Sequence, residues 1–148
     1  METAGRLTVR RPLSAALFDR GGPVIAGLVL AGFLRLAGVY WDIAWHIDLT
    51  RDTFFSPPHL LIYSGVLLTL TIVVYPVVRA WLQGAPLILP VGWRFLGLGA
   101  ATIILAAPFD ELWHRLYGVD VTIWSPPHLT GILAGLLALL GLVVFTAE

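Results

Sequence analysis

Cysteine and lysine do not occur in this chain of 148 residues. The absence of cysteine excludes disulfides, iron–sulfur clusters and thiolate metal sites, so any metal ion must be bound through imidazole, carboxylate, backbone or water. The absence of lysine excludes Schiff-base chemistry, because all nine cationic side chains are arginines. The metal chemistry open to the chain is therefore that of histidine and the acidic residues.

Charge is also scarce. Charged residues make up 12% of the sequence, whereas soluble domains average about 25%. Apolar residues account for 58%, and the mean hydropathy is +0.87. The net charge is zero and there is no basic patch with interleaved aromatic residues, so nucleic acid is not a predicted partner. Composition and length together predict a single domain in a lipid bilayer.

Four apolar stretches are long enough to cross the hydrocarbon core, which is about 30 Å thick and needs about 20 helical residues. They cover approximately residues 23–45, 57–81, 93–116 and 129–145. The sequence therefore predicts an all-α integral membrane protein in which residues 21–148 form a domain of four transmembrane helices. We expect these helices to form two repeated helical hairpins, about residues 23–81 and 93–148.

Residues 1–20 carry four arginines and no apolar run that could form a signal-peptide core, so we expect a basic arm in the cytoplasm. With the N-terminus there, six of the nine arginines fall on the cytoplasmic side and only Arg51 and Arg115 on the other, as the positive-inside rule requires. The predicted location is the cytoplasmic (inner) membrane, with the polar connections within both hairpins at the outer face. Arg35 interrupts the first span, and we expect it to face a carboxylate or backbone carbonyls within the bundle.

The two outer connections repeat one motif. The first copy runs from Asp42 to His59 and the second from Asp110 to His128. In each copy an aspartate precedes Trp-His by one helical turn, and a second histidine follows directly after Ser-Pro-Pro. These are the only four histidines in the chain, and the second copy has one additional residue between its two. The pattern indicates two polar sites built on one plan.

Each copy brings together one carboxylate and two imidazoles. The aspartate and the first histidine are four residues apart and share a helix face, while the second histidine lies in the first turn of the next helix, at the same depth. This is the composition of a facial triad, which leaves metal positions open for water, O2 or substrate. The predicted ligands are Asp42, His46 and His59 in one site and Asp110, His114 and His128 in the other. Such ligands suit copper, iron or zinc; alternatively, they cap helices and pin the connections by hydrogen bonds.

The first copy resembles the copper-binding region of the C subunit of the particulate methane and ammonia monooxygenases. The family's first intramembrane copper site uses an Asp, a His four residues later and a His thirteen beyond that, which Asp42, His46 and His59 match. The resemblance extends over about residues 41–132 and includes the runs Trp45-His46, Arg51-Asp52-Thr53 and Ser56-Pro57-Pro58-His59.

The family's neighbouring copper site uses an Asn, a His four later and a His fourteen beyond that. His114 and His128 match its histidines, and Asp110 stands where the family has Asn. The resemblance implies copper as cofactor, a catalytic role for the first triad as metal ligands, other monooxygenase subunits as partners and quinol as reductant. The implied reaction is O2-dependent hydroxylation of methane, ammonia or a short alkane.

Two other functions fit the same residues. One is a non-catalytic protein that binds or delivers copper or zinc at the outer membrane face. The other is a b-type haem protein with paired histidines, in which the aspartate one turn before the first histidine has no evident use. Assembly as a homo-oligomer is a further option that the sequence leaves open.

Overall fold

The computed structural model describes residues 21–49, 53–118 and 124–148, which form helices joined by short connections, with no strand among them. The helices are α1 (Gly22–Leu49), α2 (Pro57–Leu82), α3 (Val91–Tyr117) and α4 (Pro126–Ala147). All four are long and apolar enough to cross a membrane. The predicted all-α fold with four spans is confirmed, and the protein is a multi-pass membrane protein. The predicted cytoplasmic arm, residues 1–20, lies outside the described residues.

α2 and α4 begin with the same Ser-Pro-Pro sequence. Ser56 and Ser125 are the N-cap residues, and prolines occupy the first two helical positions. Proline suits these positions because amides in the first turn have no acceptor within the helix. Neither serine caps its helix through its side chain. The prolines therefore define the start of each helix and place the second histidine of each motif in the first turn.

α3 begins differently, because its N-cap residue is Pro90. The first amides of α3, those of Val91 and Gly92, donate hydrogen bonds to Oε1 of Glu148 at 2.9 and 3.3 Å. A carboxylate at a helix N-terminus satisfies these amides and complements the helix dipole. The residue that follows α4 is thereby joined to the start of α3.

Each helix packs most extensively against its neighbour along the chain, α1 against α2 and α3 against α4. Glycine allows a close approach at both interfaces. A Cβ atom on Gly65 of α2 would lie 2.5 Å from the carbonyl oxygen of Ala31 in α1. A Cβ atom on Gly99 of α3 would lie 2.6 Å from the carbonyl oxygen of Ala134 in α4. The pairing of neighbours is a property of the structure, whereas a symmetric repeat of the two hairpins stays a prediction.

The contact between the two helix pairs differs at the two ends of the bundle. At the end away from the motifs, Trp93 of α3 donates from its indole Nε1 to the carbonyl oxygen of Val73 in α2 at 3.0 Å. Trp93 also packs edge-on against Phe145, with ring centroids 4.9 Å apart, inside a buried apolar cluster. α1 and α4 have little contact, but at the motif end the rings of His46 and His128 lie 6.3 Å apart.

Candidate metal centre

The structure gathers the six predicted ligands at one end of the bundle, near the ends of α1 and α3 and the starts of α2 and α4. His128 lies between two other histidines. Its ring centroid is 6.2 Å from that of His114 and 6.3 Å from that of His46. The two motifs therefore lie side by side, as expected for two hairpins that run the same way across a membrane.

In the second motif, Asp110 lies between two imidazoles. Its Oδ2 is 3.5 Å from Nε2 of His114, and its Oδ1 is 3.6 Å from Nε2 of His128. Each residue offers one ligand atom such that all three atoms lie within 4.8 Å of one another. The side chains are largely buried, with exposed fractions between 18% and 25%. These three residues could hold one metal ion.

In the first motif, Asp42 also contacts both of its histidines. Its Oδ1 is 3.2 Å from Nε2 of His59, and its Oδ2 is 3.8 Å from Nδ1 of His46. Asp42 is buried, and its Oδ1 accepts no hydrogen bond from the described residues. Among those residues, the second motif is the group whose three ligand atoms all lie within 4.8 Å. The first triad is thus present but less tightly gathered, and His46 has Nδ1 rather than Nε2 near the carboxylate.

All four histidines have Nδ1 within hydrogen-bonding distance of an oxygen atom that is not a carboxylate. The pairs are His46 with Asp42 O (2.8 Å), His59 with Thr53 O (3.0 Å), His114 with Gly118 O (3.0 Å) and His128 with Ser125 Oγ (3.0 Å). A carbonyl oxygen only accepts, so in three of these pairs Nδ1 carries the proton and Nε2 of a neutral ring carries the lone pair. Metal-binding histidines are usually fixed in this way through their second nitrogen.

With the proton on Nδ1, the contacts between Nε2 and a carboxylate are contacts between two hydrogen-bond acceptors. In His59 and His114, the Nε2 lone pair of a neutral ring faces a carboxylate oxygen at 3.2 and 3.5 Å. Two acceptors at this separation repel each other unless a cation lies between them. With metal–ligand bonds of about 2.1 Å, neighbouring ligand atoms in a tetrahedral site lie about 3.4 Å apart. The observed distances of 3.2 and 3.5 Å are close to this separation between two ligand atoms of one metal ion. A proton on Nε2, which would make the ring cationic, is the other way to remove the repulsion.

Helix capping and loop pinning explain part of the arrangement. Gly118, at φ 87°, follows the end of α3 and offers its carbonyl to His114, and His59 holds Thr53 in the connection before α2. These hydrogen bonds use Nδ1 alone. They do not explain why the imidazoles gather around two carboxylates at the end of a membrane bundle, where ionisable residues usually mark a functional site.

Thr53, Gly118 and Ser125 are partners of the imidazoles that sequence reasoning missed. Ser125 precedes His128 by three residues within the repeated Ser-Pro-Pro-His, which is a weak signal for such a contact. The repeat alone would mislead, however, because the equivalent Ser56 has a buried hydroxyl with no hydrogen-bond partner among the described residues. The other two acceptors are backbone carbonyl oxygens, which every residue type has, so the sequence does not predict them.

Glu111 is next to Asp110 in the sequence but does not join the triad. Its Oε1 accepts a hydrogen bond from Nε of Arg115 at 2.7 Å, and the Arg115 side chain is 74% exposed. The acidic candidate ligand of this motif is therefore Asp110.

Comparison with known proteins does not assign the chain to a family. No protein-family model, curated protein or solved structure matches the chain. The likeness of the two motifs to the copper monooxygenase subunit therefore remains a prediction from the sequence, and the function has to be argued from the site.

Proposed function

We propose that this protein is a membrane metalloprotein that binds copper through its two Asp–His–His triads. The orientation of the rings carries the proposal. Nδ1 of each histidine is held by a neighbouring oxygen atom, while Nε2 of three histidines faces an aspartate carboxylate. Imidazole and carboxylate together suit copper, zinc and iron. Copper is our choice among them because the spacing of both motifs resembles that of the copper monooxygenase subunit.

We further propose that the protein is a subunit of an O2-dependent monooxygenase that hydroxylates methane, ammonia or a short alkane. The motif spacing supports this class, and two imidazoles with one carboxylate leave room around a metal ion for small ligands. Copper, when bound, would supply the redox chemistry that O2 activation needs. Quinol is the proposed reductant, and other monooxygenase subunits are the proposed partners.

The residues of the chain have separate tasks in this proposal. Asp42 and Asp110 supply negative charge that offsets a bound cation where the bilayer gives little solvation. His59, His114 and His128 supply Nε2 donors whose orientation is set in advance by their Nδ1 contacts, so binding at the second triad needs little rearrangement. At the first triad the ring of His46 has to turn, because its Nδ1 is the nitrogen that lies near the carboxylate. The apolar helices around the cluster limit bulk water and favour small apolar molecules.

Metal analysis of the purified full chain tests the copper sites. We expect two copper ions per chain, about one of which is lost in a variant with His114→Ala and His128→Ala, because each triad holds one ion. A variant with His46→Ala and His59→Ala should lose the other. Glu111→Gln is the matched control, because Glu111 is adjacent to a ligand but paired with Arg115. Unchanged copper content in both double variants, with the helical circular dichroism retained, would exclude the triads as copper sites.

A non-catalytic protein that stores or delivers copper or zinc is the second candidate, and the partial exposure of the cluster favours it. The His114 and His128 side chains are 19% and 25% exposed, so a bound ion could pass to an acceptor at the end of the bundle. Quinol-dependent O2 consumption with ammonia or a short alkane, lost in the double variants, would support the enzyme. Metal transfer to a chelator without turnover in the assembled complex would support the carrier.

The geometry disfavours a b-type haem protein. An axial haem ligand directs Nε2 at the iron, whereas Nε2 of both His114 and His128 faces the Asp110 carboxylate. A Soret band in the absorption spectrum of the purified protein would overturn the copper assignment.

A further inference from the structure

A groove with a volume of about 560 Å³ runs along one face of α2. Its lining residues are all exposed and lie in the second half of the helix: Thr71, Val74, Tyr75, Val78, Arg79 and Leu82. From Thr71 to Leu82 the groove is about 17 Å long at 1.5 Å per residue. One leaflet of the hydrocarbon core is about 15 Å thick, which is half of about 30 Å. The groove therefore extends through one leaflet, from the end of α2 inward.

Pro76 favours a concave surface at this position. It lies inside α2 and is buried, so its ring is on the side of the bundle. Proline lacks the amide N–H of the helical hydrogen bond, and its ring presses on the preceding turn, so a helix bends away from its proline. With 3.6 residues per turn, Val74 and Val78 lie about 160° around the helix from Pro76. They are therefore on the inner side of such a bend, where they line the groove.

Arg79 is the charged residue of the groove. It lies three residues before Leu82, where α2 ends, which is about 5 Å along the helix and within reach of the membrane surface. Its Nη1 donates to the Tyr75 hydroxyl at 3.5 Å, which uses one of the five N–H donors of a guanidinium. At this end of the bundle Glu148 accepts from the first amides of α3, and the other carboxylates of the described residues lie at the motif end. Among the described residues, the charge of Arg79 therefore has no acidic partner.

Arg35, the other arginine within the helices of the α1–α2 pair, is not open to a molecule from outside the chain. Its Nε and Nη1 are buried and have no hydrogen-bond partner among the described residues. Its stem lies against α2, where a Cβ atom on Gly65 would be 2.7 Å from Cγ of Arg35. The expectation that a carboxylate or carbonyl of the bundle faces Arg35 is therefore not met for these two nitrogens. Of the two arginines, Arg79 is the one on the exposed surface.

We propose that this groove is a binding site for one anionic phospholipid. Two oxygen atoms of a phosphate can accept parallel N–H bonds from Arg79, and the Tyr75 hydroxyl, which accepts from Nη1, can donate its own proton to the same phosphate. Val74 and Val78 contact an acyl chain below the headgroup. A flexible chain follows a concave helix face, whereas a straight helix of a partner would bridge it. A zwitterionic lipid offers the same phosphate, but Arg79 repels its ammonium group, so a headgroup with net negative charge binds more tightly.

Native mass spectrometry of the full chain in a neutral detergent tests the headgroup preference. The probes are dioleoylphosphatidylglycerol and dioleoylphosphatidylcholine, which have the same acyl chains and differ in net charge. We expect the first phosphatidylglycerol to bind about five-fold more tightly, the effect of one basic side chain near an anionic membrane surface. Arg79→Gln should remove the preference, and Arg79→Lys should keep part of it, because lysine retains the charge without the planar fork. Arg94→Gln, the matched control at the same end of the bundle, should keep it, since Arg94 is exposed and donates from Nε to the carbonyl oxygen of Leu89.

Filling the groove tests the contact with the acyl chain. Val78→Trp should weaken phosphatidylglycerol binding about ten-fold, which corresponds to about two methylene groups of lost chain contact. Val143→Trp should leave binding unchanged; Val143 is exposed in α4 and lies as far from the end of its helix as Val78 does in α2. Excess glycerol phosphate should not displace the lipid, because it has no acyl chain.

Four results would overturn the lipid site. They are equal binding of the two lipids, a preference that survives Arg79→Gln or is lost equally in Arg94→Gln, equal effects of the two tryptophan substitutions, and displacement by glycerol phosphate. Self-association that depends on Arg79 and replaces lipid binding would assign the groove to a second copy of the chain and overturn the proposal as well.

Discussion

Among single residues, the two serines of the repeated Ser-Pro-Pro sequence occupy the same position at a helix start but differ in their side-chain contacts. Ser125 Oγ lies 3.0 Å from Nδ1 of His128, whereas the Ser56 hydroxyl is buried without a hydrogen-bond partner among the described residues. We expect Ser125→Ala to lower copper affinity at the second triad by about ten-fold, because outer partners of a ligating imidazole have effects of this size. Ser56→Ala should leave affinity unchanged. Competition with a chromophoric copper chelator measures both, and equal losses in the two variants would contradict a positioning role for Ser125.

The sequence identifies the candidate ligand residues but not the way in which each imidazole ring is turned. Asp110 and His114 are predictable partners because a spacing of four residues puts them on one helix face. The acceptors for Nδ1 are not predictable, since the Thr53 and Gly118 carbonyls depend on backbone conformation in the connections and not on side-chain type. His46 is the clearest case, because its Nδ1 bonds to a carbonyl one turn earlier in its own helix.

Among the helices, glycine determines how closely α3 and α4 approach. A Cβ atom on Gly99 would lie 2.6 Å from the Ala134 carbonyl oxygen and 2.8 Å from the Ala138 amide nitrogen, whereas one on Gly135 would meet nothing within 4 Å. We expect Gly99→Ala to lower the free energy of unfolding by roughly 1–3 kcal/mol, because backbone atoms have to move apart. Gly135→Ala, the matched control in α4, should be neutral or stabilising by up to about 1 kcal/mol, since alanine is the better helix former.

Loss of helical circular dichroism during titration of a mild micelle with denaturing detergent measures both glycine substitutions. A loss of stability that is equal in the two variants would show that packing at Gly99 is no tighter than at Gly135.

The starts of the helices show where local sequence is sufficient and where it is not. The starts of α2 and α4 follow from Ser-Pro-Pro alone, because proline fits the first turn. The first amides of α3 find their acceptor in Glu148, which lies 56 and 57 residues later in the chain. Such a contact exists only once α3 and α4 have packed, so no local pattern predicts it.

For the whole molecule, the arrangement of the two helix pairs brings the motifs together. Two hairpins that run the same way across a bilayer have their equivalent connections on one side, which is why the sequence predicts adjacent triads. The two pairs touch more extensively through α2 and α3 than through α1 and α4. This difference does not follow from the parallel arrangement of the hairpins. It arises from specific contacts such as Trp93 with Val73 at one end and His46 with His128 at the other.

The orientation in the membrane decides on which side the proposed metal would reach the histidine cluster. Because the chain has no cysteine, single introduced cysteines report sidedness without background labelling. Phe55, between α1 and α2, is 71% exposed, and Gln83, just after α2, is also exposed. If the arginine distribution sets the orientation, a membrane-impermeant maleimide added to spheroplasts should label Phe55→Cys and spare Gln83→Cys. Inverted vesicles should give the reverse. The opposite pattern would place the histidine cluster on the cytoplasmic side, where copper would have to arrive from the cell interior.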